Sequence, residues 1–151
     1  MPIIHLSIDI QAPREVVFDL ARSVEIHEKS TKKTNEKALT GKTSGLMNLN
    51  DTVTWRAKHF GVYQKLSVKI TALKKPNYFV DEMISGIFKS FRHEHHFTQV
   101  GKTTTMEDIF NYQSPLGRIG KIADWLFLKR YMTNFLNTRN FTIKEIAESE
   151  Q

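Results

Sequence analysis

The feature that most constrains the fold is a long central region of alternating apolar and polar residues, followed by a segment with helical periodicity. Alternation with a period of two predicts half-buried strands, and turn residues such as Gly61 and Ser85-Gly86 separate one strand from the next. Residues 37–113 are therefore predicted to form about six consecutive antiparallel strands. Beyond Pro115, apolar residues recur at the 3.6-residue spacing of one long amphipathic helix, Leu116–Glu145.

The region before these strands predicts one further strand and two short helices. Ile4–Ile10 alternates in the same way as the central strands. Pro13 is expected at the first position of a helix, where its fixed φ is favourable, and Ser23 is a candidate cap for a second short helix.

This order of elements predicts an α+β architecture. A meander of about six to seven strands curls under its own twist, so its concave face needs a cover. The C-terminal helix is the only predicted element large enough to provide that cover. We therefore expect a curved antiparallel sheet around the helix, with a hollow between them in which a small ligand could bind.

Length and composition are those of a single domain spanning residues 1–151. The absence of cysteine excludes disulfides, zinc–thiolate clusters, iron–sulfur centres and thiol catalysis. The first residues do not resemble a secretory signal, and no apolar run is long enough to cross a membrane. A cytoplasmic localisation is the expectation, and the sequence has no feature that specifies an oligomeric state.

The net charge of +6 would suit an anionic partner, but the basic residues are scattered along the chain. No aromatic pattern or concentrated basic face of a nucleic-acid-binding protein is present, so we expect no nucleic-acid partner. A weak membrane-surface contact is the minor alternative, through the predicted exposed basic side of the long helix: Lys121, Lys129, Arg130 and Arg139. Closing the sheet is the better use of that helix's apolar face.

The segment His93-Glu94-His95-His96 is the most prominent candidate site. It lacks the H-E-x-x-H spacing of helical zinc proteases, and its alternation predicts a strand. His93 and His95 then share a face with two phenylalanines, Phe91 and Phe97, which mark that face as the inner one. On the next strand Asp108 alternates with three apolar or aromatic residues, Met106, Phe110 and Tyr112, and should also face inwards.

An inward carboxylate beside inward imidazoles is costly unless these groups pair, hydrogen-bond or bind something. The pattern is compatible with three roles: a polar floor that orients a ligand or moves protons, a buried hydrogen-bond network without a ligand, or a metal site. In the metal alternative His59 would be the third imidazole. We expect no metal and no cofactor. Asp81 joins the inward polar set if Met83 faces inwards.

Several segments resemble one known superfamily. "IHLSIDIQAPREVVFDLARSVEIHEKST" is similar to the first strand, Ala-Pro turn and paired short helices of the START-like (SRPBCC, helix-grip) superfamily, which includes polyketide cyclases, lipid-transfer domains and plant pollen-allergen ligand carriers. Three further segments, "DTVTWRAKHFGVYQKLSVKIT", "FVDEMISGIFKSFRHEHHF" and "SPLGRIGKIADWLFLKRYM", resemble a bacterial cyclase/dehydrase-like or ligand-binding branch. The resemblance covers nearly the whole chain.

The resemblance implies a helix-grip fold with an internal cavity between the sheet and the C-terminal helix. The positions expected to face that cavity are Trp55, His59, Gln64, Phe91, His93, His95, Asp108, Phe110 and Tyr112. No catalytic role is assigned to any of them. The expected function is binding of a small hydrophobic or aromatic molecule, and the alternative is a cyclase or dehydratase that uses a His/Asp acid–base pair.

Overall fold

A computed structural model describes residues 2–114 and 127–151 of the chain. The elements follow one another as β1 (Ile3–Ile10), α1 (Arg14–Ala21), α2 (Val24–Ser30), a 3₁₀ turn (Lys32–Thr34), β2 (Lys37–Gly41), β3 (Thr52–His59), β4 (Val62–Lys74), β5 (Tyr78–Ser85), β6 (Ser90–Val100), β7 (Thr103–Gln113) and α3 (Lys129–Ser149).

All seven strands form one antiparallel sheet in the order β1-β7-β6-β5-β4-β3-β2. Strands β2 to β7 are the predicted meander, and β1 pairs with β7 at its far end. The two short helices follow β1, and α3 is the long C-terminal helix. The predicted fold class is therefore confirmed. Residues 116–126 of the predicted helix lie outside the described residues.

The curvature of the sheet has local causes along β4. Its pairing with β5 shifts register between Ser67 and Val68 and again between Ile70 and Ala72. An extra residue in one strand of a pair increases the local twist and bends that strand. The sheet consequently curls, and its concave side can enclose a volume.

The turn between β3 and β4 has an unusual composition. His59 pairs with Val62, so the loop consists of Phe60 and Gly61 alone, with φ angles of 53° and 78°. A two-residue hairpin of this type needs positive φ at both positions, which glycine adopts easily and phenylalanine adopts rarely. The Phe60 ring packs on Tyr131 of α3, with 4.6 Å between ring centroids.

The short helices begin close to the predicted positions. Ser23 caps α2, because its Oγ accepts a hydrogen bond of 3.2 Å from the backbone N–H of Ile26. Pro13 is the residue before α1 and not its first helical residue. Its fixed φ and missing N–H are tolerated at this position for the reasons that favour proline in a first turn.

Helix α3 turns one face inwards and packs against β1, α1 and α2. The buried residues of that face are Met132, Leu136, Arg139, Asn140, Ile143 and Ala147. The prediction that Arg139 belongs to the exposed basic side was wrong, since only 4% of this residue is exposed. Lys129 and Arg130 are exposed as predicted, and Lys121 lies outside the described residues. Within the described ranges, no helix combines the length and the apolar character needed to cross a bilayer.

Candidate ligand cavity

A cavity of about 120 Å³ lies between the sheet, α1–α2 and α3. Its walls are mainly aromatic and aliphatic, and they include Trp55, Phe79, Phe88, Phe91, Phe110 and Leu136. The aromatic residues come from strands β3, β5, β6 and β7 and from the loop before β6, and Leu136 comes from α3. The polar groups that reach this cavity are few and are concentrated on β5, β6 and α3 and around α2.

A second cavity of about 70 Å³ adjoins the first. Six of its lining residues also line the first cavity: Glu36, Trp55, Leu66, Phe88, Met132 and Phe135. It extends towards the β3–β4 turn and the start of α3, where His59, Phe60 and Tyr131 enclose it. The two cavities thus form adjacent compartments of one region of the fold.

The polar floor of the first cavity is built on two neighbouring strands. His93 and His95 alternate with outward residues on β6, and Asp108 does the same on β7. Nε2 of His93 lies 2.7 Å from Oδ1 of Asp108, and none of the Asp108 surface is exposed. The alternation that predicted this convergence is the ordinary two-residue period of a strand.

Asp108 is surrounded by donors on all sides. The side-chain amide of Asn140 donates to its Oδ2 over 2.6 Å, and Nη1 of Arg139 lies 3.6 Å from its Oδ1. Burial alone would favour the protonated acid. The hydrogen bond from His93, together with the nearby His95 and the Arg139 charge, outweighs burial and holds the pKa of Asp108 well below its ordinary value. Asp108 is therefore an ionised carboxylate in the interior.

His95 lies between two carboxylates. Its Nε2 is 2.7 Å from Oδ1 of Asp81, and its Nδ1 is 3.3 Å from Oδ1 of Asp108 without the alignment of a hydrogen bond. Burial favours the neutral ring, but the interactions with Asp108 and Asp81 outweigh it and raise the pKa of His95. The pair Asp81–His95 therefore favours the imidazolium form more than an isolated histidine would.

The pKa of His93 shifts in the opposite direction to that of His95. Burial and the positive charge of His95 lower its pKa, and the hydrogen bond to Asp108 only partly compensates. Because Asp108 is ionised, the neutral ring of His93 carries its proton on Nε2 and donates it to that carboxylate. Its Nδ1 then carries a lone pair. No described residue hydrogen-bonds to this atom, and His93 lines the first cavity.

These assignments give a balanced set of charges. The carboxylates of Asp81 and Asp108 face the cations of His95 and Arg139, while His93 is neutral. Ring stacking fixes the histidines in place, with 4.1 Å between the centroids of Phe79 and His95 and 3.8 Å between those of His95 and His93. The floor is thus a rigid network in which one basic nitrogen is left open.

The metal alternative is not favoured by this geometry. Ligand atoms of Asp81, His93 and His95 lie within 4.8 Å of one another, which is close enough for a common ion. However, both Nε2 atoms already face carboxylates at hydrogen-bond distance, and Arg139 adds a positive charge to the group. His59, the predicted third imidazole, lies in the second cavity, where its Nδ1 is 2.5 Å from the Tyr131 hydroxyl.

The structure divides the residues predicted to face the cavity into three groups. The first cavity is lined by Trp55, Phe91, His93, His95 and Phe110, and the second by Trp55, His59 and Gln64. Asp108 and Tyr112 line neither cavity. They lie fully buried behind the lining, where Asp108 holds His93 and Tyr112 packs on Phe110, with 5.4 Å between centroids.

Other polar residues at the cavities were not singled out from the sequence as site residues. One of them is Arg139, which lines the first cavity. Its spacing of seven residues from Met132 would have been enough to place it on the buried face of the helix. His27 and Glu36 also line the first cavity, and no periodicity points to them. His27 stacks on Trp55 with 4.2 Å between centroids, and its Nε2 is 2.8 Å from Oε1 of Glu36.

Comparison with known proteins identifies the fold. Neither the family models nor the curated proteins gave a match to the chain. Among solved structures, the protein TTHA0849 from Thermus thermophilus is similar over 99% of both chains, with a TM-score of 0.81 and 16% identity. A START superfamily protein from Mycobacterium smegmatis is similar over 99% of both chains, with a TM-score of 0.75 and 10% identity. Ginseng major latex-like protein 151 from Panax ginseng is similar over 97% of both chains, with a TM-score of 0.72 and 16% identity. The chain therefore has the START-like (SRPBCC) helix-grip fold.

Proposed function

We propose that this protein binds a small apolar or aromatic molecule that carries one polar group, with its ring in the first cavity. The observation that carries the proposal is that His93, whose Nδ1 has no hydrogen-bond partner among the described residues, lines a cavity with mainly aromatic walls. Mostly apolar walls with a few convergent polar groups are typical of small-molecule sites. The START-like fold is in general a ligand-binding fold, which agrees with this role.

The size of the cavity supports a ligand of one or two rings. An apolar cavity of roughly 150 Å³ is large enough to bind benzene. The first cavity, of about 120 Å³, is of the same order, and the second adds about 70 Å³ along shared walls. A fused bicyclic compound that extends from one compartment into the other is a suitable probe.

The polar floor favours a ligand that donates a hydrogen bond. Nδ1 of neutral His93 is an acceptor, and the second carboxylate oxygen of Asp81 has no hydrogen-bond partner among the described residues. A hydroxyl group can donate to either atom, whereas a carboxylate on the ligand has no proton to donate to them. We therefore expect phenols and alcohols to be preferred over anions.

Calorimetric titration with 2-naphthol and with 2-methylnaphthalene tests the proposal. The two probes have similar shape, and one net hydrogen bond should make 2-naphthol bind about tenfold more tightly. His93→Gln should remove most of this preference. His96→Gln, on the outward face of the same strand, is the matched control and should leave it unchanged. If 2-naphthol does not bind the wild-type protein, or binds no more tightly than 2-methylnaphthalene, the proposal is overturned.

A second function is favoured by one feature of the same site. His93 is neutral, is oriented by a buried carboxylate and has a free lone pair, which is the arrangement of a general base. In a cyclase or dehydratase acting on a linear β-tetraketone, Nδ1 would take a proton from the carbon between the first two carbonyls, and the resulting enolate would attack the fourth carbonyl to close a six-membered ring. The protonated His93 would return its proton to the new alkoxide, and loss of this hydroxyl together with the remaining proton of the attacking carbon would release one water.

Incubation with a linear β-tetraketone, followed by mass spectrometry, separates the two functions. An enzyme would give a cyclised product that has lost one water, and His93→Gln would abolish this product while the protein stays folded. With a binding protein, the substrate would be converted no faster than in the buffer control. That result would remove the catalytic alternative and leave the binding function standing.

A further inference from the structure

Glu36 is a buried carboxylate with an unfilled hydrogen-bonding position at the junction of the two cavities. It lines both of them, and only 6% of the residue is exposed. Its Oε1 is 2.8 Å from Nε2 of His27, whereas its Oε2 has no hydrogen-bond partner among the described residues. One oxygen of this carboxylate is therefore available to a molecule in the cavity.

A carboxylate in such a place is costly without further partners. A buried charge needs pairing and hydrogen bonds to its remaining lone pairs, and His27 supplies one contact only. Asp108, the other deeply buried carboxylate, shows the contrast, because His93 and Asn140 both donate to it. The difference leaves a position at Glu36 for a hydrogen bond from a group in the cavity.

The charge of Glu36 acts on the second cavity as well. It raises the pKa of Tyr131, in addition to the effect of burial, and it opposes the lowering that burial causes in the pKa of His59. Both of these residues line the second cavity. The carboxylate thus lies where a ligand that extends from the first compartment into the second would pass.

We propose that Glu36 is a second ligand anchor that accepts a hydrogen bond from a hydroxyl or ammonium group on the end of the ligand opposite to His93. This inference rests on the proposed binding function and specifies its ligand class: a flat apolar body with a hydrogen-bond donor at each end. His27 packs on Trp55 in the wall of the first cavity and holds the carboxylate in place.

Three naphthalene probes test the inference. They are 2-naphthol with one donor, 2,6-dihydroxynaphthalene with a donor at each end, and 6-(aminomethyl)-2-naphthol with an ammonium at the second end. We expect both two-donor probes to bind the wild-type protein about tenfold more tightly than 2-naphthol, as one added hydrogen bond to a charged group would give. The tighter of the two identifies hydroxyl or ammonium as the preferred group.

Glu36→Gln should reduce this gain, taken as the ratio to the affinity of the same variant for 2-naphthol, to about threefold or less, since only a neutral hydrogen bond remains. Glu145→Gln, an exposed carboxylate of α3, is the control for the change of net charge. Glu36→Asp, which withdraws the charged group from the junction, should give the same loss as Glu36→Gln and serves if that variant does not fold.

The outcomes distinguish the two proposals. If 2-naphthol binds and the second donor adds nothing in the wild-type protein, Glu36 is not an anchor, although the proposed function stands. The same holds if the gain survives in both Glu36 variants. If none of the three probes binds, the proposed function fails, and this inference fails with it.

Discussion

The imidazole of His93 reaches the carboxylate of Asp108 diagonally across strands β6 and β7. The residue directly opposite Asp108 is His95, and the residue opposite His93 is Phe110. Nε2 of His93 is nevertheless 2.7 Å from Oδ1 of Asp108, because diagonal neighbours on one face of an antiparallel pair lie within reach of long side chains. One buried carboxylate can therefore hold both histidines of the cavity floor.

Removing this carboxylate should strongly destabilise the protein. Asp108→Ala leaves His93 and Asn140 without their acceptor and leaves Arg139 as a buried cation without its neighbouring carboxylate. Breaking such a buried pair costs about 3–5 kcal/mol, and we expect the free energy of unfolding in urea to fall by that amount. Glu107→Ala, whose partner His5 is exposed, should change it by only about 0.5 kcal/mol. Equal effects in the two variants would show that the network contributes no more than a surface pair.

The stability of the protein should pass through a maximum near pH 6.5. The folded pKa of His93 lies below its ordinary value of 6.5, so below that pH the unfolded chain binds more protons and stability falls with decreasing pH. The folded pKa of His95 lies above 6.5, so above that pH the folded chain holds the extra proton and stability falls as pH rises through the folded pKa.

Urea unfolding between pH 5 and pH 9 measures both slopes of this profile. His95→Gln should flatten the decline on the alkaline side, and His93→Gln should reduce the decline on the acid side, to which His59 also contributes. A wild-type profile that rises steadily across this range would contradict the assignment of a protonated His95 between two carboxylates.

The strand faces could be predicted because a strand has a simple geometry. In β7 every second residue from Thr104 to Tyr112 is buried, which is the pattern read from the sequence. The convergence of His93, His95 and Asp108 follows from alternation on neighbouring strands. Alternation does not give the register, so it could not show that Asp108 lies behind the histidines and outside the cavity wall.

The residues that the sequence did not indicate have two different explanations. Arg139 occupies a helical position that faces the core. It was predicted to be exposed because an arginine on an amphipathic helix is usually solvated. Glu36 lies between the 3₁₀ turn and β2, outside any periodic element. Its position depends on the path of a loop relative to α2 and α3, which only tertiary structure determines.

The buried guanidinium of Arg139 should be a structural cation of the network. Its Nη2 donates to the carbonyl of Ala21 over 3.1 Å, and its Nη1 donates to Asn140 over 3.0 Å. Arg139→Met should lower the free energy of unfolding by about 2–4 kcal/mol, because these acceptors lose their donor. Arg130→Met, on the exposed side of the same helix, should change it by about 0.5 kcal/mol or less.

Arg139→Met should also alter the titration of the histidines. The charge of Arg139 opposes protonation of His95, so its removal should raise the pKa of His95 further. NMR titration of the imidazole resonances measures this change. An unchanged or lower pKa of His95 in the folded variant would contradict the placement of Arg139 in the network.

Filling the first cavity from its α1 side should block binding without unfolding the protein. Ala21 lines this cavity, so Ala21→Leu places three additional carbon atoms in the empty space. We expect the affinity for 2-naphthol to fall by about tenfold or more, while the free energy of unfolding changes by less than about 1 kcal/mol because the new atoms enter an existing cavity. Ala72→Leu, half-buried on β4 and outside both linings, is the control for an added leucine and should bind like the wild-type protein. Full affinity in Ala21→Leu would mean that the probe binds at another place on the protein.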